Sequence, residues 1–91
     1  MLLLELLGRR WAMRILWELR DGRLSFRGLQ EACGSPSPAV LNQRLKDLRD
    51  AGLVELLEGE GFGLTPLGRE LGDRLLPMVT WSEKWSKALS K

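Results

Sequence analysis

Four hydrogen-bonding side chains lie close together in the segment 37–52, and they are the residues of this chain best suited to chemistry. Asn42, Gln43, Arg44 and Lys46 fall within five consecutive positions. Side-chain amides and basic groups can bond to base edges and phosphates in the major groove of DNA. Their spacing predicts a nucleic-acid-binding surface, although the same residues also occur on ordinary solvated helix faces.

The sequence lacks the residue sets of common enzyme and metal sites. It contains no histidine and a single cysteine, Cys33, so no nucleophile has a histidine partner and no Cys–His set could bind zinc. Its ten glycines fall at expected turns and helix ends and form no phosphate-binding loop. We therefore expect no enzymatic activity, no metal and no cofactor. The lone cysteine, which cannot form an intrachain disulfide, favours a reducing compartment.

Length and charge fit one small domain that spans residues 1–91. Hydrophobic residues make up 44% of the chain, which is ordinary for a globular protein. The net charge of +2 is unevenly spread. Residues 9–49 carry nine basic and four acidic residues, or +5, whereas residues 50–91 carry five basic and seven acidic, or −2. The basic surplus therefore lies where a DNA-facing surface needs it.

No segment of the sequence suggests membrane insertion or export. No apolar run approaches the roughly 18 residues of a membrane span. The leucines of residues 2–7 are interrupted by Glu5 and followed, rather than preceded, by basic residues, unlike a signal peptide. We expect a cytoplasmic, nucleoid-associated protein with no membrane partner.

The amide and basic residues belong to a predicted amphipathic helix. Ser37 suits the N-cap, Pro38 the first helical position, and Gly52 the left-handed position after the helix, from which Leu53 can fold back on Leu48. The predicted buried stripe is Leu41, Leu45 and Leu48. The opposite face carries Ala39, Asn42, Gln43 and Lys46, with Arg44 on the flank.

Two helices are predicted within residues 2–21. Residues 2–7 form one or two helical turns that end near Gly8, and Arg9 to Asp21 form the first full helix. Its core face consists of Ala12, Ile15, Leu16 and Leu19. Met13 and Trp17 lie on a second apolar face, so this helix is expected to be central.

A second short helix completes a helix-turn-helix over residues 25–52. After a short strand at Leu24, Ser25 caps this helix, and Gly34-Ser35-Pro36 separates it from the next one. Its buried stripe is Phe26, Leu29 and Cys33. Cys33 could be a redox switch, but its place on the stripe favours a structural role, because a buried thiol is a poor nucleophile.

A hairpin and a long helix complete the chain. Residues 53–57 and 62–64 are predicted strands around a turn, which makes residues 53–65 a wing. Thr65 and Pro66 then start a helix that runs to about Leu89 and that Pro77 should kink or split. A heptad-like stripe follows: Leu67, Leu71, Leu75, Met78, Ser82, Trp85 and Leu89. It offers more apolar surface than one small core can cover, although it could be purely intradomain.

These motifs resemble the HxlR-type branch of the MarR-like winged-helix transcription regulators over nearly the whole chain. The resemblance rests on the following residues: Gly8 with Trp11, Phe26 with Leu29, the run Pro38 to Val54, and Leu64 to Gly68. It implies a mainly α fold with a small β-hairpin, in which residues 1–8 and 66–91 are dimerisation segments. It also implies a homodimer that binds double-stranded operator DNA.

The implied DNA-binding residues are Arg23, Arg27, Ser35, Ser37, Pro38, Ala39, Asn42, Gln43, Arg44 and Lys46. The dimerisation residues are Leu3, Leu7, Trp17, Leu75, Met78, Val79, Trp81 and Trp85. Arg44 could instead hold an acidic neighbour inside the domain, and capping alone explains Ser37. The function we expect is repression by promoter occlusion.

Two other functions stay open. A winged-helix interaction module could dimerise without binding DNA, as the acidic wing and low net charge would allow. An effector-sensing subunit could use a tryptophan-lined pocket for a small apolar ligand, although core and dimer contacts explain the four tryptophans better.

The chain departs from the family pattern in three ways. It has no cysteine near its N-terminus, where some members carry a redox or electrophile sensor. Ala39 stands where a basic residue is common early in the recognition helix. The wing carries Glu55, Glu58 and Glu60, so we expect no close phosphate contact from its tip.

Overall fold

The computed structural model of the protein describes residues 2–90, and within them five helices and one antiparallel hairpin. In chain order these are α1 (Leu3–Leu7), α2 (Ala12–Glu18), α3 (Phe26–Ala32), α4 (Pro38–Asp50), β1 (Val54–Leu57), β2 (Gly61–Leu64) and α5 (Pro66–Leu89). This order confirms the predicted winged helix-turn-helix. The extreme ends of the predicted dimerisation segments, residues 1 and 91, lie outside the described residues.

The core contains the apolar stripes predicted for α2, α3 and α4, except that Phe26 of the α3 stripe is only half-buried. Leu41, Leu45 and Leu48 of α4 are buried with Leu29 of α3. The α2 residues of the same cluster are Ala12, Ile15 and Leu16, with Leu19 just after the helix. Because α2 contacts α1, α3, α4 and α5, it is the central element, as expected from its two apolar faces.

The first full helix is shorter than predicted. It begins at Ala12 rather than Arg9, because Trp11 has a left-handed backbone with φ of 77° that interrupts helical geometry between α1 and α2. Its α-helical part ends at Glu18, and residues 19–21 form a turn before Gly22. The prediction of a helix from Arg9 to Asp21 is therefore wrong at both ends.

Serine caps define the helix-turn-helix. Ser25 Oγ accepts a hydrogen bond from the Gly28 amide at 3.0 Å, and Ser37 Oγ accepts one from Val40 at 3.2 Å. Between the helices, Gly34 and Ser35 have positive φ angles of 85° and 61°, which turn the chain sharply. The two caps confirm the predicted starts of α3 and α4.

The end of α4 passes directly into the wing. Gly52 has φ of 76°, its amide donates to Arg49 O at 3.0 Å, and the Leu53 amide donates to Leu48 O at 3.0 Å. These two bonds form a Schellman motif, which confirms the predicted role of Gly52.

The wing is a two-stranded hairpin with one additional bridge. Val54 pairs with Leu64 at its base and Leu57 with Gly61 at its tip. The strand predicted at Leu24 is a single-residue bridge to Phe62, with N···O distances of 3.0 and 2.8 Å. This bridge ties the wing to the segment that precedes α3.

The last helix continues through Pro77. Thr65 Oγ1 accepts from the Gly68 amide at 3.0 Å and donates to Gly52 O at 2.6 Å, which joins the start of α5 to the end of α4. The expected split at Pro77 is wrong, because α5 runs unbroken to Leu89, and the alternative of a kink at Pro77 stays a prediction. Among residues 2–90, no helix is long and apolar enough to cross a membrane.

Two glycines of α5 should respond oppositely to alanine. A Cβ at Gly68 would overlap the backbone carbonyl of Leu53, whereas a Cβ at Gly72 would meet nothing within 4 Å. We expect Gly68→Ala to lower the free energy of unfolding by about 1–3 kcal/mol or more. Gly72→Ala should raise it by up to about 1 kcal/mol, because alanine favours helix. Urea denaturation of both variants tests this, and equal effects would contradict the close approach of α5 to Leu53.

Candidate nucleic-acid interface

The outward face of α4 is open to solvent. Ala39, Asn42, Gln43 and Lys46 are all exposed, and neither the wing nor α5 covers them. The same helix is held from behind by its buried leucine stripe. The structure thus brings these four predicted residues together on one accessible surface, which we call the α4 face.

An ionic cluster around Asp47 lies at the edge of the α4 face. The Asp47 side chain is only 11% exposed, and its Oδ2 accepts from Arg44 Nη1 at 2.7 Å and from Arg9 Nη1 at 3.3 Å. Its Oδ1 accepts from Gln43 Nε2 at 2.9 Å. The cluster links the outward amide of Gln43 to the turn that precedes α2.

The cluster holds Asp47 in its charged form. Burial raises the pKa of the Asp47 carboxyl, but hydrogen bonds from Gln43 and Arg44 lower it, as do the positive charges of Arg9 and Arg44. The net result is a pKa below the ordinary value of 3.8. Asp47 is therefore ionised at neutral pH.

Arg44 acts inside the domain. Its guanidinium donates to Arg10 O at 2.8 Å as well as to Asp47, and its side chain is only 16% exposed. The sequence left two roles open for Arg44, a phosphate contact or an ion pair with an acidic residue of its own domain. These contacts favour the ion pair. The hydrogen bond to Arg10 O joins distant parts of the sequence, because Arg10 precedes Arg44 by 34 residues.

Arg23 is also engaged within the fold. Its Nη2 lies 2.7 Å from Glu55 Oε2, and its Nη1 donates to Gly61 O at 3.3 Å. The side chain crosses Gly63, where a Cβ would come within 2.8 Å of Arg23 Cγ. Arg23 therefore braces the wing and neutralises one of its carboxylates.

Two predicted phosphate contacts are accessible. Arg27 is 88% exposed and lies 3.5 Å from Glu31, and Lys46 is 68% exposed and lies 3.0 Å from Asp50. Exposed pairs of this kind contribute little to stability, so either cation can exchange its carboxylate for a phosphate at small cost. Ser35, Ser37 and Pro38 are exposed around the start of α4.

The wing tip is acidic and exposed. Glu58 and Glu60 are both exposed at the hairpin turn, and neither forms an ion pair with a residue in the described part of the chain. The wing tip is therefore negatively charged, as the sequence indicates. Because carboxylates repel phosphate, we still expect no close phosphate contact there.

The dimerisation candidates are divided between surface and core. Leu3, Met78, Trp81 and Trp85 are exposed, and Trp17, Leu75 and Val79 are half-buried. Leu7 is buried in the core of its own chain. The exposed members leave α5 with an apolar side that no other described part of the chain covers.

A cavity of about 510 Å³ opens between α2 and α5. Met13 and Trp17 contribute its α2 side, and Leu75, Leu76 and Val79 contribute its α5 side. The guanidinium of Arg20 stacks on Trp17 at 3.7 Å from the ring centroid. The cavity therefore has apolar walls and a cationic edge.

Cys33 is buried, and burial raises the pKa of its thiol. Little thiolate forms at neutral pH under such conditions, which agrees with a structural role.

Sequence reasoning missed the roles of Arg9 and Asp47 and the pairing of Glu55 with Arg23. Each is an ordinary surface charge by residue type, and the Arg9–Asp47 and Arg23–Glu55 contacts join segments more than 30 residues apart. Only their opposite charges hinted at the pairing. The Asp47 contacts with Gln43 and Arg44 are local, at spacings of four and three on one helix, and that spacing is a signal that could have found them.

Comparisons with known proteins find a matching family model and helix-turn-helix regulators among the relatives of this chain. The model of the HxlR-like helix-turn-helix family matches residues 6–90. An HTH-type transcriptional regulator of Methanocaldococcus jannaschii is 30% identical over 87 residues, which cover 90% of this chain and 80% of the relative. One from Mycobacterium tuberculosis is 32% identical over 88 residues, but the chain spans only 55% of its length.

Solved structures agree with this fold. A possible HxlR family transcriptional factor from Thermoplasma volcanium superposes with a TM-score of 0.86 at 30% identity, covering 96% of this chain and 84% of that one. Quinone-bound YodB from Bacillus subtilis gives a TM-score of 0.80 at 31% identity, with coverages of 88% and 89%.

The Asp47 cluster predicts an acid-labile contribution to stability. Because the folded-state pKa lies below 3.8, the carboxylate stabilises the fold above that pH, and the contribution is lost as pH falls through the folded-state value. Asp47→Asn should therefore be less stable than the unmodified protein at pH 7, and the difference should shrink toward pH 2. Denaturation of both proteins at several pH values measures this difference in the free energy of unfolding. A difference that does not change with pH would contradict the stabilising role of the charged Asp47.

Proposed function

Because this chain belongs to the HxlR-like helix-turn-helix family of transcriptional regulators, we propose that it binds operator DNA as a homodimer and represses transcription by occluding a promoter. The observation that carries the proposal is the α4 face, which is exposed and includes the accessible cation Lys46. Such a protein would act in the cytoplasm, at the nucleoid.

The α4 face supports insertion into a major groove. Asn42 and Gln43 can bond to base edges, while Lys46 and Arg27 can contact phosphates. Two copies related by a two-fold axis would enter successive major grooves about 34 Å apart. Arg44 and Arg23 would contribute indirectly, by fixing α4 and the wing.

The apolar side of α5 supports a dimer. A helix of 24 residues is about 36 Å long, and its second half carries Met78, Trp81, Trp85 and Leu89 exposed. An exposed apolar surface of this kind typically marks an interface. A second copy, with its own α1 and α5, would cover it.

An apolar effector would fit the cavity between α2 and α5. Its walls are apolar, and Trp17 offers a ring for stacking. The cavity borders the surface proposed for dimerisation, so a ligand there could change the angle between the two halves.

An interaction module that does not bind DNA is the rival function, and the acidic tip with Glu58 and Glu60 favours it. Fluorescence anisotropy with random duplex DNA separates the two. The regulator must bind at low salt and lose affinity steeply as salt rises. No binding at low salt would contradict the regulator.

Removing one phosphate contact should change the salt dependence. We expect Lys46→Ala to reduce the slope of log affinity against log salt by about 1.8, because each of the two protomers loses one phosphate contact and each contact contributes about 0.9. Lys84→Ala, the same change on α5, is the matched control and should leave the slope unaltered. Equal slopes for Lys46→Ala and the unmodified protein would remove Lys46 from the interface.

Introducing a charged side chain on the apolar side of α5 should dissociate the proposed dimer into monomers. We expect Trp85→Glu to sediment as a monomer and to bind operator DNA about a hundredfold more weakly, because two linked sites are lost. Trp85 is 52% exposed, so the domain itself should stay folded by circular dichroism. Lys87→Gln makes the same net charge change two residues on, away from that side, and should remain dimeric. A dimeric Trp85→Glu variant would exclude this surface.

A further inference from the structure

We propose that Asp47 positions the side-chain amide of Gln43 so that the α4 face selects adenine over guanine at the base that Gln43 meets. The inference rests on the proposed function, since it requires that α4 enter a major groove. In it Asp47 is a positioning residue, which acts on DNA only through Gln43.

The two carboxylate oxygens of Asp47 accept hydrogen bonds from different residues. Arg44 and Arg9 both donate to Oδ2, at 2.7 and 3.3 Å, which leaves Oδ1 to Gln43 Nε2 at 2.9 Å. The contact between Gln43 and Asp47 is therefore not in competition with the arginines. Asp47 is itself held in place by the anchoring of Arg44 to Arg10 O.

The charge of the carboxylate fixes which end of the amide faces it. An ionised carboxylate can only accept hydrogen bonds, so the NH₂ group of Gln43 must point toward Asp47. The amide oxygen is then directed away, and one N–H of the same amide remains available. A glutamine without such a partner can present its amide in either orientation.

The remaining acceptor and donor match one base. Adenine offers an N6 donor and an N7 acceptor in the major groove, so both unused groups of Gln43 can be satisfied. Guanine offers two acceptors, O6 and N7, and O6 would face the amide oxygen of Gln43. If the amide could turn, it would donate to guanine, and the discrimination would fall.

Asn42 provides an internal comparison. It is exposed next to Gln43 on the α4 face, and its side chain has no hydrogen-bond partner within residues 2–90. The two amides of one surface therefore differ in that only Gln43 is restrained before DNA arrives.

The experiment begins with binding sites selected from a random duplex library by the full chain. Gln43→Ala identifies the base pair whose preference depends on Gln43. The ratio of affinities for adenine and guanine at that position is then measured for the unmodified protein, Asp47→Asn and Arg9→Ala. Each ratio comes from one protein preparation, so an unfolded fraction cancels.

We expect a preference of about tenfold for adenine in the unmodified protein. Asp47→Asn should reduce this preference to about threefold or less. Arg9→Ala removes one ion pair from Oδ2 but leaves Oδ1 to Gln43, so it should keep the full preference. A variant that merely weakens the fold would lower both affinities and leave their ratio unchanged.

A second measurement needs no variant. Side-chain ¹⁵N relaxation of the free protein should give a higher order parameter for the Gln43 amide than for the Asn42 amide, with the latter below about 0.6. Equally low values would overturn the proposal.

The outcomes separate this inference from the function on which it rests. If Asp47→Asn keeps the adenine preference, or if guanine is preferred from the start, the positioning role is overturned and the regulator stands. If no selected duplex binds, both proposals are overturned.

Discussion

The helix α4 must bury its leucine side and leave its polar side in solvent, and the rest of the structure depends on that constraint. Three leucines fix its inner side, while amide and basic groups on its outer side stay in water. The helix needs a firm frame, since a surface that reads bases must be held in place from behind. The serine cap, the Schellman motif and the Asp47 cluster together supply that frame.

The four basic residues that the sequence offered for phosphate contact lie in two different environments. Arg44 and Arg23 are drawn into the domain by Asp47 and Glu55, where they position α4 and the wing. Arg27 and Lys46 remain in solvent, in pairs weak enough to open. The sequence made all four residues candidates for phosphate contact, with a second interpretation for Arg44 alone, and burial distinguishes them.

Local signals predicted most of the fold. Ser25, Ser37 and Thr65 each bond to an amide in the first turn of their helix, so the caps could be recognised from neighbouring residues. Trp11 could not be predicted, because a left-handed backbone at a bulky residue depends on tertiary packing. The contact of Asp47 with Arg9, 38 residues away, could not be predicted either, whereas its contacts with Gln43 and Arg44 follow the spacing of one helix. The roles of the dimerisation residues and of the α4 face remain predictions.

The most direct test of the account is a ¹H–¹⁵N titration of the full chain with a selected operator duplex. Backbone signals of residues 38–46 and the side-chain amides of Asn42 and Gln43 should shift most, while Gly59 at the acidic wing tip should shift little. Shifts confined to the wing tip or to α5, with the α4 face unchanged, would contradict it.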